Sequence, residues 1–123
     1  MVEEAAALAS RLKHRLIKKD WTISTAESCT GGLISSLLTD ISGASAWFKQ
    51  GWIVYSNESK MRELGVESSA FDEGGYGAVS HKVAVQMARG ARYKSGSNIS
   101  IAVTGIAGPV SYTHLTLPTI AIV

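Results

Sequence analysis

The sequence is poor in cysteine, in proline and in net charge, and it lacks any long apolar run. Cys29 is the single cysteine in 123 residues. No internal disulfide can form, and a reduced, cytoplasmic setting is expected. Two prolines exclude a proline-rich or collagen-like chain. Twelve Lys and Arg against ten Asp and Glu leave a formal charge of +2, too small an excess to point by itself to nucleic acid or an anionic membrane. No apolar stretch approaches the roughly 20 residues of a membrane-spanning helix. Glu3 and Glu4 stand where a signal peptide would carry positive charge. Neither nucleic acid nor a membrane is therefore an expected partner. His14, His81 and His114 lie far apart, without companions at ligand spacing, so no metal and no cofactor is expected.

What remains has the balance of a globular chain, 46% hydrophobic and 18% charged, and its length allows one domain. Residues 3–19 form an amphipathic helix, with Ala5, Leu8, Ala9, Leu12 and Leu16 on one stripe and Arg11, Lys13, Arg15, Lys18 and Lys19 off it or in the last turn. Such a basic face is a solvated helix surface or, alternatively, a nucleic-acid arm. A β-prone run at 21–26 leads into Glu27-Ser28-Cys29-Thr30-Gly31-Gly32. A helical stripe follows (Leu33, Ile34, Leu37, Leu38, Ile41) and breaks at Ser42-Gly43. Residues 51–56 read as a strand apolar on both faces, as expected inside a sheet. Ser56 and Asn57 can cap a short helix through Leu64, with Gly65 as terminator. Residues 67–77 read as a loop. Ser80 caps a helix to about Tyr93, and residues 99–103 form a third strand that empties into Thr104-Gly105-Ile106-Ala107-Gly108-Pro109. Strands alternating with helices indicate an α/β layer fold.

Three strand exits carry unusual residues: 27–32, 55–60 and 104–109. Ligands of open α/β sheets bind outside the carboxyl ends of the strands. At the first exit, small residues ending in two glycines let the backbone approach a ligand. The helix start behind them offers N–H groups to a phosphate or an oxyanion. A plain tight turn would use the same glycines. Ser28 and Cys29 are both possible nucleophiles. No histidine is placed to serve either, so a serine would need a lysine held neutral by burial. Lys60, one turn into the helix after the second strand, is the candidate. Its alternative is an exposed surface lysine. Tyr55 is either a core aromatic or a polar group of the site. Glu27 and Glu58 would do acid–base work together only if they converge.

The run Thr25-Ala26-Glu27-Ser28-Cys29-Thr30-Gly31-Gly32 resembles the signature of the CinA C-terminal domain family. So do Ser45-Ala46-Trp47-Phe48, then Gly51, then Tyr55-Ser56-Asn57-Glu58-Ser59-Lys60. Gly77-Ala78-Val79-Ser80 and Thr104-Gly105-Ile106-Ala107-Gly108-Pro109 follow in the family's order.

The resemblance implies a three-layer α/β/α sandwich on a mostly parallel or mixed sheet. It also implies an amidohydrolase that converts nicotinamide mononucleotide to nicotinic acid mononucleotide and ammonia. By that pattern Ser28 is the nucleophile, Lys60 its base and Tyr55 an assistant. Backbone around Thr30, Gly31 and Gly32 would hold the oxyanion, while Thr104, Gly105 and Gly108 cradle the nucleotide. A small-molecule nucleotide is thus the expected partner, and a homodimer is reasonable for the family. The rival reading is a non-catalytic nucleotide-binding module or an inactive truncated member. The chain starts at the helix before the signature, like the family's stand-alone form. The resemblance stops at Pro109. Residues 1–109 are read as the domain, incomplete at its C-terminal end, and 110–123 as an aberrant tail standing where the family's last strands and closing helix would be.

Overall fold

The structure is a computed structural model that describes residues 2–72, 80–105 and 119–123. Its sheet has the order β2-β1-β3-β4, with β1 at Ile23–Glu27, β2 at Phe48–Ile53, β3 at Ile99–Thr104 and β4 at Thr119–Ile122. The first three strands are mutually parallel, and β4 runs antiparallel to β3. The sheet is therefore mixed. Its fourth strand comes from the stretch set apart above as a tail.

Helices cover both faces. On one side lie α1 (Val2–Lys19) and α2 (Leu33–Thr39). Ala9 and Leu16 of α1 and Leu38 of α2 meet Ile23 of β1 and the buried Trp47. The stripe read along residues 3–19 therefore does face the core, although Leu8 remains 61% exposed. On the other side lie α3 (Asn57–Leu64) and α4 (His81–Ser95). Leu64, Val83, Met87, Ala88 and Ala91 pack there against Ala26 of β1 and Ala102 of β3. Alanines in the sheet and on α4 leave little side chain between the layers. The same closeness recurs where α4 meets α3, for a Cβ at Gly90 would run into the Leu64 carbonyl.

Local chemistry explains most boundaries. Ser56 caps α3 by accepting the Ser59 N–H at 3.0 Å. Gly65 ends that helix at φ 70°, in the left-handed region that suits glycine. Ser80 caps α4 by accepting from Val83 at 3.1 Å. Of the loop expected at 67–77, Ser68–Phe71 form a single 3-10 turn, and 73–79 lie outside the described residues.

The second strand departs from expectation. It runs three residues earlier than the apolar run suggested and forms an edge of the sheet, with Lys49, Gln50, Gly51 and Ile53 exposed. Continuous hydrophobicity suggested burial on both faces. In the structure Trp52 packs toward α4, but Ile53 stays 62% exposed. The chain leaves β1 for β2 on one side and returns past β1 to β3 on the other, so the strand order reverses at β1. The carboxyl ends beside that reversal are where an open sheet forms a ligand crevice.

Candidate active site

The register brings the three exits together. Glu27, the last residue of β1, is level with Ile53 of β2 and with Val103 of β3. Ser28, Tyr55 and Thr104 therefore leave the sheet within one or two residues of a common line. Ser28 extends the ladder, its N–H donating to the Val103 carbonyl at 3.0 Å, and is 2% exposed. Thr104 is fully buried and Gly105 half-buried. Gly108 lies outside the described residues.

After Ser28 the backbone folds into a tight turn. The Gly31 N–H donates to the Ser28 carbonyl at 3.1 Å. Gly31 and Gly32 take φ of 61° and 106°, conformations that other residues rarely adopt. At Gly32 a side chain would also meet Ile53 Cδ1 at 3.0 Å. The tight-turn reading of these glycines therefore holds, and the N–H of Gly31 is used within the turn.

The N–H groups at the start of α2 are also taken. The Glu27 carboxylate, 0% exposed, accepts from the Thr30 hydroxyl at 2.7 Å and the Ile34 N–H at 2.8 Å through Oε1. Through Oε2 it accepts from the Ser35 N–H at 2.9 Å and the Ser35 hydroxyl at 2.5 Å. Burial works to raise its pKa. The hydrogen bonds from Ser35, Thr30 and Ile34 outweigh that and hold Glu27 below the usual carboxylate value. Glu27 and Glu58 do not form a pair: Glu58 points to solvent and meets Arg62 at 3.6 Å. Sequence reasoning weighed Glu27 only as an acid–base partner. The usable signal was its place just before a small-residue turn that opens a helix, where an anion finds unpaired N–H donors.

Lys60 is the opposite case. It lies on α3 with 1% exposure, and its Nζ donates to the Tyr55 carbonyl at 2.9 Å. No carboxylate meets it among the described residues. Burial pulls its pKa below the ordinary lysine value, with the nearby Cys29 acting in the other direction. The surface alternative for Lys60 is excluded by this burial. Tyr55 reaches the site by its main chain, while the residue as a whole is 64% exposed and is no core aromatic. His14 and His81 are both exposed, and His114 is outside the described residues.

The half-buried Cys29 thiol is pushed above its ordinary pKa by burial. Backbone N–H groups of Cys29 and Thr30 and the charge of Lys60 oppose this only in part. A thiol held protonated is a poor nucleophile. Lys60 is near enough for its charge to act on the residue next to Ser28.

The sheet order and the buried amine at the strand ends define an open-sheet α/β protein whose candidate site lies on the carboxyl edge. Residues 5–118 match the family model described as the CinA C-terminal domain. A CinA-like protein of Geotalea daltonii is 58% identical over 88 residues, 72% of this chain and 21% of that protein. The nicotinamide-nucleotide amidohydrolase PncC of Enterobacter agglomerans is 48% identical over 102 residues, 83% of this chain and 61% of that protein. Among solved structures, the competence/damage inducible protein CihA from Agrobacterium tumefaciens superposes with a TM-score of 0.80 at 46% identity, covering 85% of this chain and 62% of that one. The chain belongs to the CinA C-terminal domain family. It spans less than two thirds of the length of each of these relatives. No helix among the described residues is long and apolar enough to cross a membrane.

Proposed function

We propose that the chain is an amidohydrolase that deamidates nicotinamide mononucleotide, using Ser28 as nucleophile and Lys60 as base. The observation that carries the reading is the amine of Lys60, buried at the strand ends and held below the ordinary lysine pKa. A neutral amine can accept a proton at moderate pH, and a solvated lysine cannot. The substrate is supported by the 48% identity to a relative named as a nicotinamide-nucleotide amidohydrolase.

In the proposed reaction the Ser28 hydroxyl oxygen attacks the carboxamide carbon while Lys60 takes its proton. The tetrahedral oxyanion is held by the N–H groups of Cys29 and Thr30, the donors that here approach the Cys29 sulfur. A well-aimed donor of this kind is worth about 3–4 kcal/mol. Collapse breaks the C–N bond, and the nitrogen leaves as ammonia with the proton from Lys60. Water then attacks the acyl-enzyme and gives its proton to Lys60, which returns it to Ser28 as the carboxylate product departs. The Tyr55 carbonyl keeps the amine in place, and Tyr55 is proposed to assist the base. Thr104, Gly105 and Gly108 are proposed to line the nucleotide.

The test is ammonia release from nicotinamide mononucleotide. Ser28→Ala should lower kcat by at least about 1,000-fold. Turnover at the parent rate would remove the serine from the mechanism. Tight nucleotide binding without turnover, unchanged in Lys60→Ala, would instead favour a binding module.

A further inference from the structure

We infer that Glu27 is a positioning residue, whose carboxylate holds the turn from Ser28 to Gly31 in the geometry that attack by Ser28 requires. The inference rests on the proposed role of Ser28 and adds a residue that the reaction itself does not use. Glu27 is fully buried, and its four hydrogen bonds come from two separate places. Oε1 links the turn, through Thr30, to the first residues of α2, through Ile34. Oε2 is filled by Ser35 alone, by both its N–H and its hydroxyl.

The brace continues behind it. The Ser35 hydroxyl lies 2.7 Å from that of Thr25 on β1. At Gly51 of β2 an added Cβ would come to 2.6 Å from Thr25 Oγ1 and 2.8 Å from Ser35 Oγ. Two strands therefore close behind the Ser35 hydroxyl, one of the carboxylate's donors. At its start the turn is tied to β3 by the Ser28 N–H on the Val103 carbonyl, at 3.0 Å. It contains two glycines, and its own backbone bonds are Gly31 to Ser28 and Leu33 to Thr30, both 3.1 Å. Without the anion, the stretch that follows Ser28 would be held by these backbone bonds alone, and a misplacement of the hydroxyl near 1 Å is worth about 100-fold in rate.

Only a carboxylate suits four converging donors. It offers about four acceptor positions and no donor, whereas an amide of the same shape turns its NH2 toward N–H and O–H groups. Glu27→Gln is therefore the informative variant, nearly unchanged in volume. In the full chain, with folding checked by circular dichroism, it should lower kcat for ammonia release about 100-fold and change KM less than about 3-fold. A lowered unfolding midpoint with kcat intact would mean a merely structural role and would overturn the inference. An active parent with an equally active Glu27→Gln overturns it too, while leaving the hydrolase reading in place. If the parent releases no ammonia, that reading fails, and labelling of Ser28 by a fluorophosphonate decides the matter. Labelling at least about 10-fold slower in Glu27→Gln than in the parent keeps the positioning role, because it reports hydroxyl placement without substrate. Equal labelling, or none in the parent, overturns it. Should Glu27→Gln not fold, Ser35→Ala removes one hydroxyl donor and should lower kcat about 3- to 10-fold. An unchanged kcat there counts against the inference.

Discussion

Two ionisable side chains stand at the same edge of the sheet with almost no exposure, and they meet opposite fates. Glu27 is 0% exposed and Lys60 1%. Burial disfavours the charged form of each. Glu27 nevertheless keeps its charge, because four donors supply what water would have given. Lys60 has three hydrogens to donate, but among the described residues its single hydrogen-bond acceptor is the Tyr55 carbonyl. Its amine is therefore biased toward the neutral form. Depth alone does not set protonation at this edge. The number of complementary partners does, and among the described residues one group has a full set and the other does not. The first arrangement is what the inferred support needs, and the second is what the proposed base needs.

The comparison can be broken most severely at Lys60. Lys60→Met keeps much of the stem and removes the amine. It should lower kcat for ammonia release by about 100- to 10,000-fold, the usual range for a positioned base. It should leave the unfolding midpoint at neutral pH unchanged or higher, since an undercompensated buried cation is replaced by an apolar group. A clear fall in the midpoint would show that Lys60 is held there as a satisfied structural cation.

Varying pH sharpens the contrast because the two groups respond over different windows. The folded pKa of Lys60 lies below its ordinary 10.5, so between the two values the native state binds fewer protons than the unfolded state. The Lys60 contribution to stability must then rise with pH across that window. For Glu27 the folded pKa lies below the ordinary 4.5. Its contribution is present above that ordinary value and is lost as pH falls through the lower, folded one. Denaturation midpoints over pH should show both slopes, and Lys60→Met should abolish only the one that belongs to Lys60. Ammonia release should rise with pH through the lowered pKa of Lys60, ahead of an ordinary lysine titration. A rate independent of pH up to the ordinary lysine range would argue against a neutral-amine base.

The smallest expected effect is at the support. Ser35→Ala removes one of the four donors from Glu27 and should destabilise the chain by about 0.5–1.5 kcal/mol, read by chemical denaturation. A neutral result would mean that the remaining donors suffice.

Much of the scaffold was legible in the residues because its causes are local. Ser56 and Ser80 start helices and Gly65 ends one, each through bonds within a turn of the chain. The spacing of Val83, Ala84, Met87, Ala88 and Ala91 names the buried face of α4, and the structure buries all of them. The edge position of β2 was not legible, since Trp52 and Ile53 read alike on paper and only the strand order separates them. The nucleophile turn was visible as small residues and glycines. Its internal accounting was not: the N–H groups that looked available at the start of α2 are engaged by a carboxylate seven and eight residues earlier in the chain.

Amino-acid order by itself determined where helices begin and end, which faces are apolar, and that the unusual residues cluster at strand exits, because periodicity and capping act over a few residues. Tertiary structure alone decided that Lys60 is buried beside the Ser28–Cys29 turn and that Glu27 is ionised within a ring of donors. Desolvation and hydrogen bonding depend on what arrives from distant parts of the chain, and neighbours in sequence do not encode that.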